Sequence, residues 1–378
     1  RIEPAPGRRR RKQGRSAGFS DISRGLTGPL LSSWLMLGAA ALLLLASRLS
    51  AGFAEWYARH IYPLFPATLG RLLSPLPFSL SELLLALALI SLLPLILVSL
   101  RRLRRSLPLR GLLRGLLFTL SLLLLLFTLT AGVNYSRPSF AAAAGLSPAP
   151  AEAERLTALY QLLIADIGAN APLLALDAEG CARVSAEDIA DCRRAMAELR
   201  ESYPSLAPAI VRPKPAAYSQ LLSHLHLSGI FSPFTVEAHY NVLMPDYAQP
   251  YSVCHELAHS MGYMREQDAG FIAYLACAHS GRPALRYSGA MGALNYVINA
   301  CYAALPPDDY YVLLAGLPEQ AHRDLAASRG FWAKYQGRAA EVSQKTNDAY
   351  LRLNAQQAGV QSYGQMVDLL LAYYGDQL

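Results

Sequence analysis

Charged side chains are scarce in this sequence. Only 16% of the 378 residues are Asp, Glu, Lys or Arg, whereas 53% are hydrophobic, and the mean hydropathy is +0.22. A composition this apolar excludes an ordinary soluble protein. The sequence also lacks internal repeats and any surface pattern of interleaved basic and aromatic residues, so no nucleic acid is expected as a partner.

The apolar residues are concentrated in three runs, at residues 30–49, 80–100 and 112–133. Each run has about the 20 residues that a helix needs to cross a bilayer. A single run of this kind can be a buried core helix, but three runs separated by charged loops make that alternative weak. We therefore predict a region of three transmembrane helices at residues 29–133, with membrane lipids as partners.

Arginines indicate the orientation of these helices. The loop between the first two runs carries few basic residues, whereas the loop between the second and third carries Arg101, Arg102, Arg104, Arg105, Arg110 and Arg114. The positive-inside rule puts this second loop in the cytoplasm, with the basic and disordered tail predicted for residues 1–28. Residues 134–150 are then a linker, and residues 151–378 form the extracytoplasmic domain of a multi-pass cell-membrane protein.

Most of the region 151–378 has apolar residues at the three- and four-residue spacing of helices. Residues 229–245 differ, because apolar residues such as Phe234 and Val236 alternate with polar ones, which predicts a half-buried strand. The predicted fold class is mainly α. It has three N-terminal transmembrane helices followed by a mostly helical, zincin-like domain with a short β element.

The segment from His255 to His259 has the form HExxH. Positions four apart share one face of a helix, so both histidines point the same way and can hold one Zn²⁺ ion. Glu256 lies at the adjacent edge, where it can act on water as the general base of a hydrolase. The alternative is an ordinary amphipathic helix, although a site that only binds metal has no need of this carboxylate.

A catalytic zinc ion usually has three protein ligands, so one more side chain is required. Glu266 is the first candidate, because Ala269 three positions later lets a second helix, predicted at 264–278, pack closely against the first. Asp268 is the alternative ligand. Glu266 can instead be an ordinary acid stabilised at a helix N-terminus.

Other polar residues are candidates for contacts with a substrate. In zincin-type hydrolases an edge strand beside the metal helix pairs with an extended peptide. Glu237 and His239 of the predicted strand are therefore expected to bind substrate, with a purely structural strand as the alternative. Tyr287, Asn347 and Tyr350 can stabilise an oxyanion, with packing as the alternative.

The five cysteines all follow residue 150, in the predicted outer domain. An oxidising compartment permits disulfides there. We predict a bridge between Cys181 and Cys192 and a second one between Cys277 and Cys301, which leaves Cys254 as the odd thiol.

Several short stretches carry a family resemblance. They are Pro77-Phe78-Ser79 before Glu82, Ser228 to Phe231 with Pro233-Phe234 and Glu237, Val253 to His259, Arg265-Glu266, Phe271 to Cys277, Tyr287-Ser288-Gly289, Asn347 to Leu351, and Gly359 to Tyr363. On these residues the chain resembles a bacterial membrane family, domain-of-unknown-function family 3810. It has Asp268-Ala269-Gly270 where that family is expected to carry Glu-Ala-Asn, which raises the standing of Asp268.

That family is similar to gluzincin-type membrane metallopeptidases, whose ExxA pattern implies Glu266 as the third zinc ligand. The resemblance implies a zinc metallopeptidase anchored in the membrane, acting on a peptide or protein of unknown identity. The main alternative is a non-catalytic, metal-binding envelope sensor or assembly protein. A purely structural envelope protein is the third reading.

Overall fold

The computed structural model describes residues 19–147, 152–354, 356 and 365–378, and it is mainly helical. Its helices are α1 (Phe19–Leu49), α2 (Ala51–His60), α3 (Arg71–Leu73), α4 (Leu80–Arg104), α5 (Arg110–Phe127), α6 (Phe140–Ala143), α7 (Ala153–Asn170), α8 (Ala186–Ser202), α9 (Ser219–His224), α10 (Gln249–Ser260), α11 (Glu266–Ala278), α12 (Pro283–Ala304), α13 (Pro307–Ala315), α14 (Glu319–Ala333), α15 (Arg338–Leu353) and α16 (Met366–Tyr374). The strands are β1 (Lys214–Pro215), β2 (Gly229–Ser232) and β3 (Glu237–Tyr240). The predicted fold class is confirmed.

Three of the helices are long and apolar enough to cross a membrane. The candidate spans are Leu30–Leu49 in α1, Leu80–Arg104 in α4, and Arg110–Ser136, which continues α5 through a π-helical and a 3-10 turn. The first 18 residues of the predicted tail lie outside the described residues. Residues 19–28, which were predicted to belong to that tail, are helical and extend α1.

Helices α1 and α5 pack together, whereas α4 stands apart from them. From Leu30 onward, the buried residues of α1 are Ser33, Ala40 and Ser47, which recur every seven positions and therefore share one face. Small side chains of this kind let two helices approach closely within a membrane. No residue of α4 is buried, so its apolar side chains lie at the surface of the protein.

The strands form one small sheet with the order β1-β3-β2, parallel between β1 and β3 and antiparallel between β3 and β2. The prediction of one half-buried strand is wrong in its extent, because residues 233–236 form the turn of a hairpin. It is also wrong in its burial, because Glu237, Ala238 and His239 are all buried. The polar side chains of β3 are not exposed to solvent, although they alternate with apolar ones, because the start of α4 covers this face of the strand.

The predicted linker is part of the core. In its described portion, residues 134–147, the side chains of Asn134, Tyr135, Arg137, Phe140 and Ala141 are buried. The loop between the first two spans contributes too, since Tyr62 is fully buried. This loop and the C-terminal region therefore share one core.

Candidate metal centre

Helix α10 carries the HExxH segment and ends directly after it. Pro250 lies in its first turn, where a missing N–H has no cost, and Gly262 follows its last turn with a φ of +95°. A Cβ at Gly262 would lie 3.2 Å from the ring of Tyr62, so both backbone and space favour glycine. The chain reverses at this point, and α11 begins at Glu266 against the same face of α10.

Three side chains of potential metal ligands converge between α10 and α11. Glu266 Oε2 lies 3.1 Å from His255 Nε2 and 3.8 Å from His259 Nε2. The ligand atoms of the three residues all lie within 4.8 Å of one another. The structure thus brings together the two histidines and the first of the two predicted carboxylates.

The ring of His259 has a defined orientation. Its Nδ1 lies 2.8 Å from the backbone oxygen of Tyr263, which can only accept a hydrogen bond. Nδ1 therefore carries the proton and donates it, which leaves the lone pair on Nε2 facing Glu266. Metal-binding histidines are commonly held by such a bond to a backbone carbonyl.

Burial and the charge of Glu266 act in opposite directions on the protonation of the two histidines. Burial lowers the pKa of His259 to about 4, so this imidazole is neutral near pH 7. Burial acts in the same direction on His255, but the hydrogen bond and the charge of Glu266 outweigh it, and the pKa of His255 is raised. In the absence of a cation the Glu266 carboxylate thus attracts a proton to the neighbouring imidazole.

Glu256 lies on the side of the centre where α10 meets the sheet. Its carboxylate accepts a hydrogen bond from the backbone N–H of Phe231 on β2. A Cβ at Gly229 would lie 2.7 Å from Glu256 Oε1, so glycine is required for the strand to approach this closely. Burial raises the pKa of Glu256 to about 8, against the opposing charge of His255.

The alternative ligand, Asp268, is outside this group of three. Its side chain is buried, and burial raises its pKa to about 6. It accepts a hydrogen bond from the backbone of Phe140, on the segment that follows the third span. Asp268 thus contacts the core of the protein rather than the two histidines.

The predicted substrate-binding residues Glu237 and His239 make structural hydrogen bonds to the start of α4. Glu237 accepts hydrogen bonds from Lys214 Nζ at 2.7 Å, Leu80 N at 3.1 Å and Ser81 N at 2.9 Å. His239 Nε2 lies 2.8 Å from Ser79 Oγ. Both side chains are fully buried and hold the first turn of α4, so they are not available to a substrate.

Of the tyrosines near the centre, the sequence analysis named Tyr350 and missed Tyr218 and Tyr296. Tyr287 donates a 2.6 Å hydrogen bond to Asp324 in the core, so it is not an oxyanion candidate. The charge of Glu266 acts on the phenols of Tyr350 and Tyr296, and the charge of Glu256 acts on the phenol of Tyr218. Tyr218 lies at the start of α9 and Tyr296 lies in α12, both far from the HExxH segment in sequence, and no motif marks them.

The predicted disulfides are wrong, because all five cysteines are free. Cys192 lies on α8 facing α10, and Cys277 Sγ of α11 lies 3.8 Å from Cys254 Sγ. These three thiols form a buried cluster behind the HExxH segment. Cys181 and Cys301 each lie apart from their predicted partners.

Comparison with known proteins gives a family. A family model with the description "Protein of unknown function (DUF3810)" matches residues 57–371, which is most of the chain. The chain belongs to this family. The DUF3810 resemblance noted from short motifs is therefore confirmed, and the likeness to metallopeptidases stays a prediction. Neither a curated protein nor a solved structure matches this DUF3810 protein.

Proposed function

We propose that this DUF3810 protein is a membrane-anchored zinc metallopeptidase in which Glu256 is the general base. The observation that supports it most is the convergence of His255, His259 and Glu266 beside a second, buried glutamate. Binding a metal accounts for three of these residues. The fourth, Glu256, is not needed to hold the metal, and its position beside the three ligands is suited to action on water.

The donor set suits zinc. Two imidazole nitrogens and one carboxylate oxygen are ligands of hydrolytic zinc sites, with a fourth position free for water or substrate. Zinc–ligand bonds of about 2.0–2.1 Å put neighbouring ligand atoms roughly 3.3 Å apart. The separations of 3.1 and 3.8 Å from Glu266 Oε2 bracket that value. A zinc ion, when bound, supplies a Lewis acid that acidifies water and polarises a carbonyl group.

Glu256 provides the proton transfers of peptide hydrolysis. It accepts a proton from the attacking water as the oxygen adds to the carbonyl carbon of the substrate. It then gives that proton to the departing amine nitrogen as the C–N bond breaks. Burial raises the pKa of this carboxyl group, which makes its carboxylate a stronger base than that of an ordinary glutamate.

Strand β2 is the element most suited to bind a peptide. It pairs with β3 on one side, and its other side faces Glu256 through the N–H of Phe231. An extended peptide added along this outer side would bring its backbone next to the centre. The substrate contacts predicted for Glu237 and His239 are therefore assigned to the backbone of β2 instead.

The test is hydrolysis of an unfolded protein by purified full-length chain in detergent, with wild type compared to Glu256→Gln. We expect both to retain zinc and only the wild type to cleave, with activity at least a hundredfold lower in the variant. Glu154→Gln, at an exposed position of α7, is the matched control and should cleave as the wild type does. Equal cleavage by wild type and Glu256→Gln contradicts the proposal, and zinc without any turnover favours the non-catalytic metal-binding alternative.

A further inference from the structure

The candidate centre lies between the membrane anchors of the protein. On the Glu256 side, the first turn of α4 is held by Glu237 of β3, the strand next to β2. On the Glu266 side, the end of the third span is linked to α15 by a 2.9 Å hydrogen bond from Tyr135 to Tyr350. Arg48, at the end of the first span, donates to the backbone of Leu353 in the same helix.

The distance from the centre to the bilayer is short. Glu82 lies in the first turn of α4, where the apolar span begins, and accepts the N–H of Ala217 at 2.7 Å. Glu256 lies against Gly229 of β2, and β2 pairs with β3, whose His239 Nε2 lies 2.8 Å from Ser79 Oγ at the start of α4. Adjacent strands are about 5 Å apart, so the span begins within roughly 20 Å of Glu256. About six extended residues cover that distance.

Apolar side chains are exposed in the same place. Phe78 precedes α4 and is 52% exposed, Phe234 in the hairpin turn is 40% exposed, and Ile230 on β2 is 39% exposed. Ile230 pairs with His239 and so shares the sheet face that meets the start of α4. Apolar and aromatic side chains at the end of a membrane span are typical of residues that contact the bilayer interface.

We propose that the substrates are polypeptides anchored in the same membrane and cut within about ten residues of the end of their span, on the side that carries the folded domain. This inference rests on the proposed peptidase function. A chain leaving the bilayer near α4 reaches the outer side of β2 after a few extended residues. A soluble polypeptide, or a distant part of a long extramembrane segment, is not held next to β2 by a membrane anchor.

The test uses the full-length protein in vesicles of phosphatidylethanolamine and phosphatidylglycerol, reconstituted with a single-span reporter. The reporter carries two copies of one unstructured cleavable segment, one directly after its span and the other beyond a rigid helical spacer of about 40 residues, which holds it roughly 60 Å further out. Both copies share the same membrane anchor. We expect the copy near the membrane to be cut at least tenfold faster, with cut sites mapped by mass spectrometry.

The outcomes separate this inference from the function on which it rests. Cleavage that depends on Glu256 but occurs equally at both copies overturns the inference and leaves the peptidase intact. Cleavage that Glu256→Gln retains, or no cleavage of any reporter, overturns both. A soluble peptide with the same segment, cut as fast as the near copy, also contradicts the inference.

Discussion

Among single residues, the shared orientation of the two HExxH histidines could be predicted from the sequence, whereas the roles of the residues around them could not. His255 and His259 are four positions apart, and this spacing alone puts both side chains on one face of a helix. Glu237 and His239 have an equally regular alternation, but alternation does not tell what covers each face of a strand. In this protein the start of a membrane helix covers it, and two polar residues expected at a cleft are buried structural contacts.

The buried pair of Glu237 and Lys214 gives a prediction on pH. Burial raises the pKa of Glu237, but the hydrogen bonds from Lys214, Ser81 and Leu80 outweigh it, and its pKa is lowered from the ordinary 4.5. Because the pKa is lower in the folded state than in the unfolded state, the ionised carboxylate stabilises the fold at pH values above the unfolded pKa. This stabilisation is lost as the pH falls through the lowered pKa of the folded state. We therefore expect the melting temperature of the wild type to decrease as the pH is lowered below about 4.5.

Glu237→Gln should reduce this acid sensitivity, and Lys214→Met should destabilise the protein by about 3–5 kcal/mol at neutral pH, because it leaves a buried carboxylate without its partner. Thermal unfolding followed by circular dichroism measures both effects. Glu341→Gln changes an exposed glutamate and should unfold like the wild type. An acid profile unchanged by Glu237→Gln would contradict the role of this pair.

Among elements, helix spacing predicted α11 to within two residues, whereas the contacts between helices could not be predicted. The disulfide predictions used only the proximity of cysteines along the chain. Cys192 and Cys254 instead meet because α8 packs on α10, and Cys277 joins them because α11 packs on the same helix. Such contacts depend on which helix faces meet, and sequence spacing does not contain that information.

Thiol titration tests the packing of these helices. Cys181 is partly exposed and the other four thiols are buried, so one thiol should react rapidly in the folded protein. In denaturant without reductant all five should react. A Cys181→Ser variant identifies the fast thiol by removing it. Three reactive thiols in denaturant would indicate a disulfide and contradict this arrangement.

At the scale of the whole molecule, composition predicted the three apolar helices, but the boundary between membrane region and domain was misplaced. The sequence of residues 134–150 resembles a linker because it is rich in alanine and carries three prolines. Its Arg137 nevertheless lies 4.0 Å above the ring of Tyr263 and donates to the backbone oxygen of Gly262 at the end of α10. Phe140 packs against Tyr203, Tyr263 and Phe271. Helix α10 therefore depends on residues that precede the predicted domain.

A fragment of residues 152–378 tests this shared core. We expect it to lack a cooperative unfolding transition, because it lacks Tyr62, Arg137 and Phe140, which are fully buried. Phe140→Ala in the full-length chain should cost about 3–5 kcal/mol, as the loss of a buried phenylalanine usually does. If the fragment unfolds cooperatively at the melting temperature of the full-length chain, the predicted domain boundary at residue 151 is correct and the shared core is contradicted.

Zinc stoichiometry tests the central claim most directly, since everything proposed for this protein depends on one ion shared by His255, His259 and Glu266. Metal content is measured after zinc-replete purification of the full-length wild type, Glu266→Ala and Asp268→Asn. We predict one zinc ion per chain in the wild type and in Asp268→Asn, and binding at least tenfold weaker in Glu266→Ala. A wild type without stoichiometric zinc, or a Glu266→Ala variant that binds it equally well, would contradict the account.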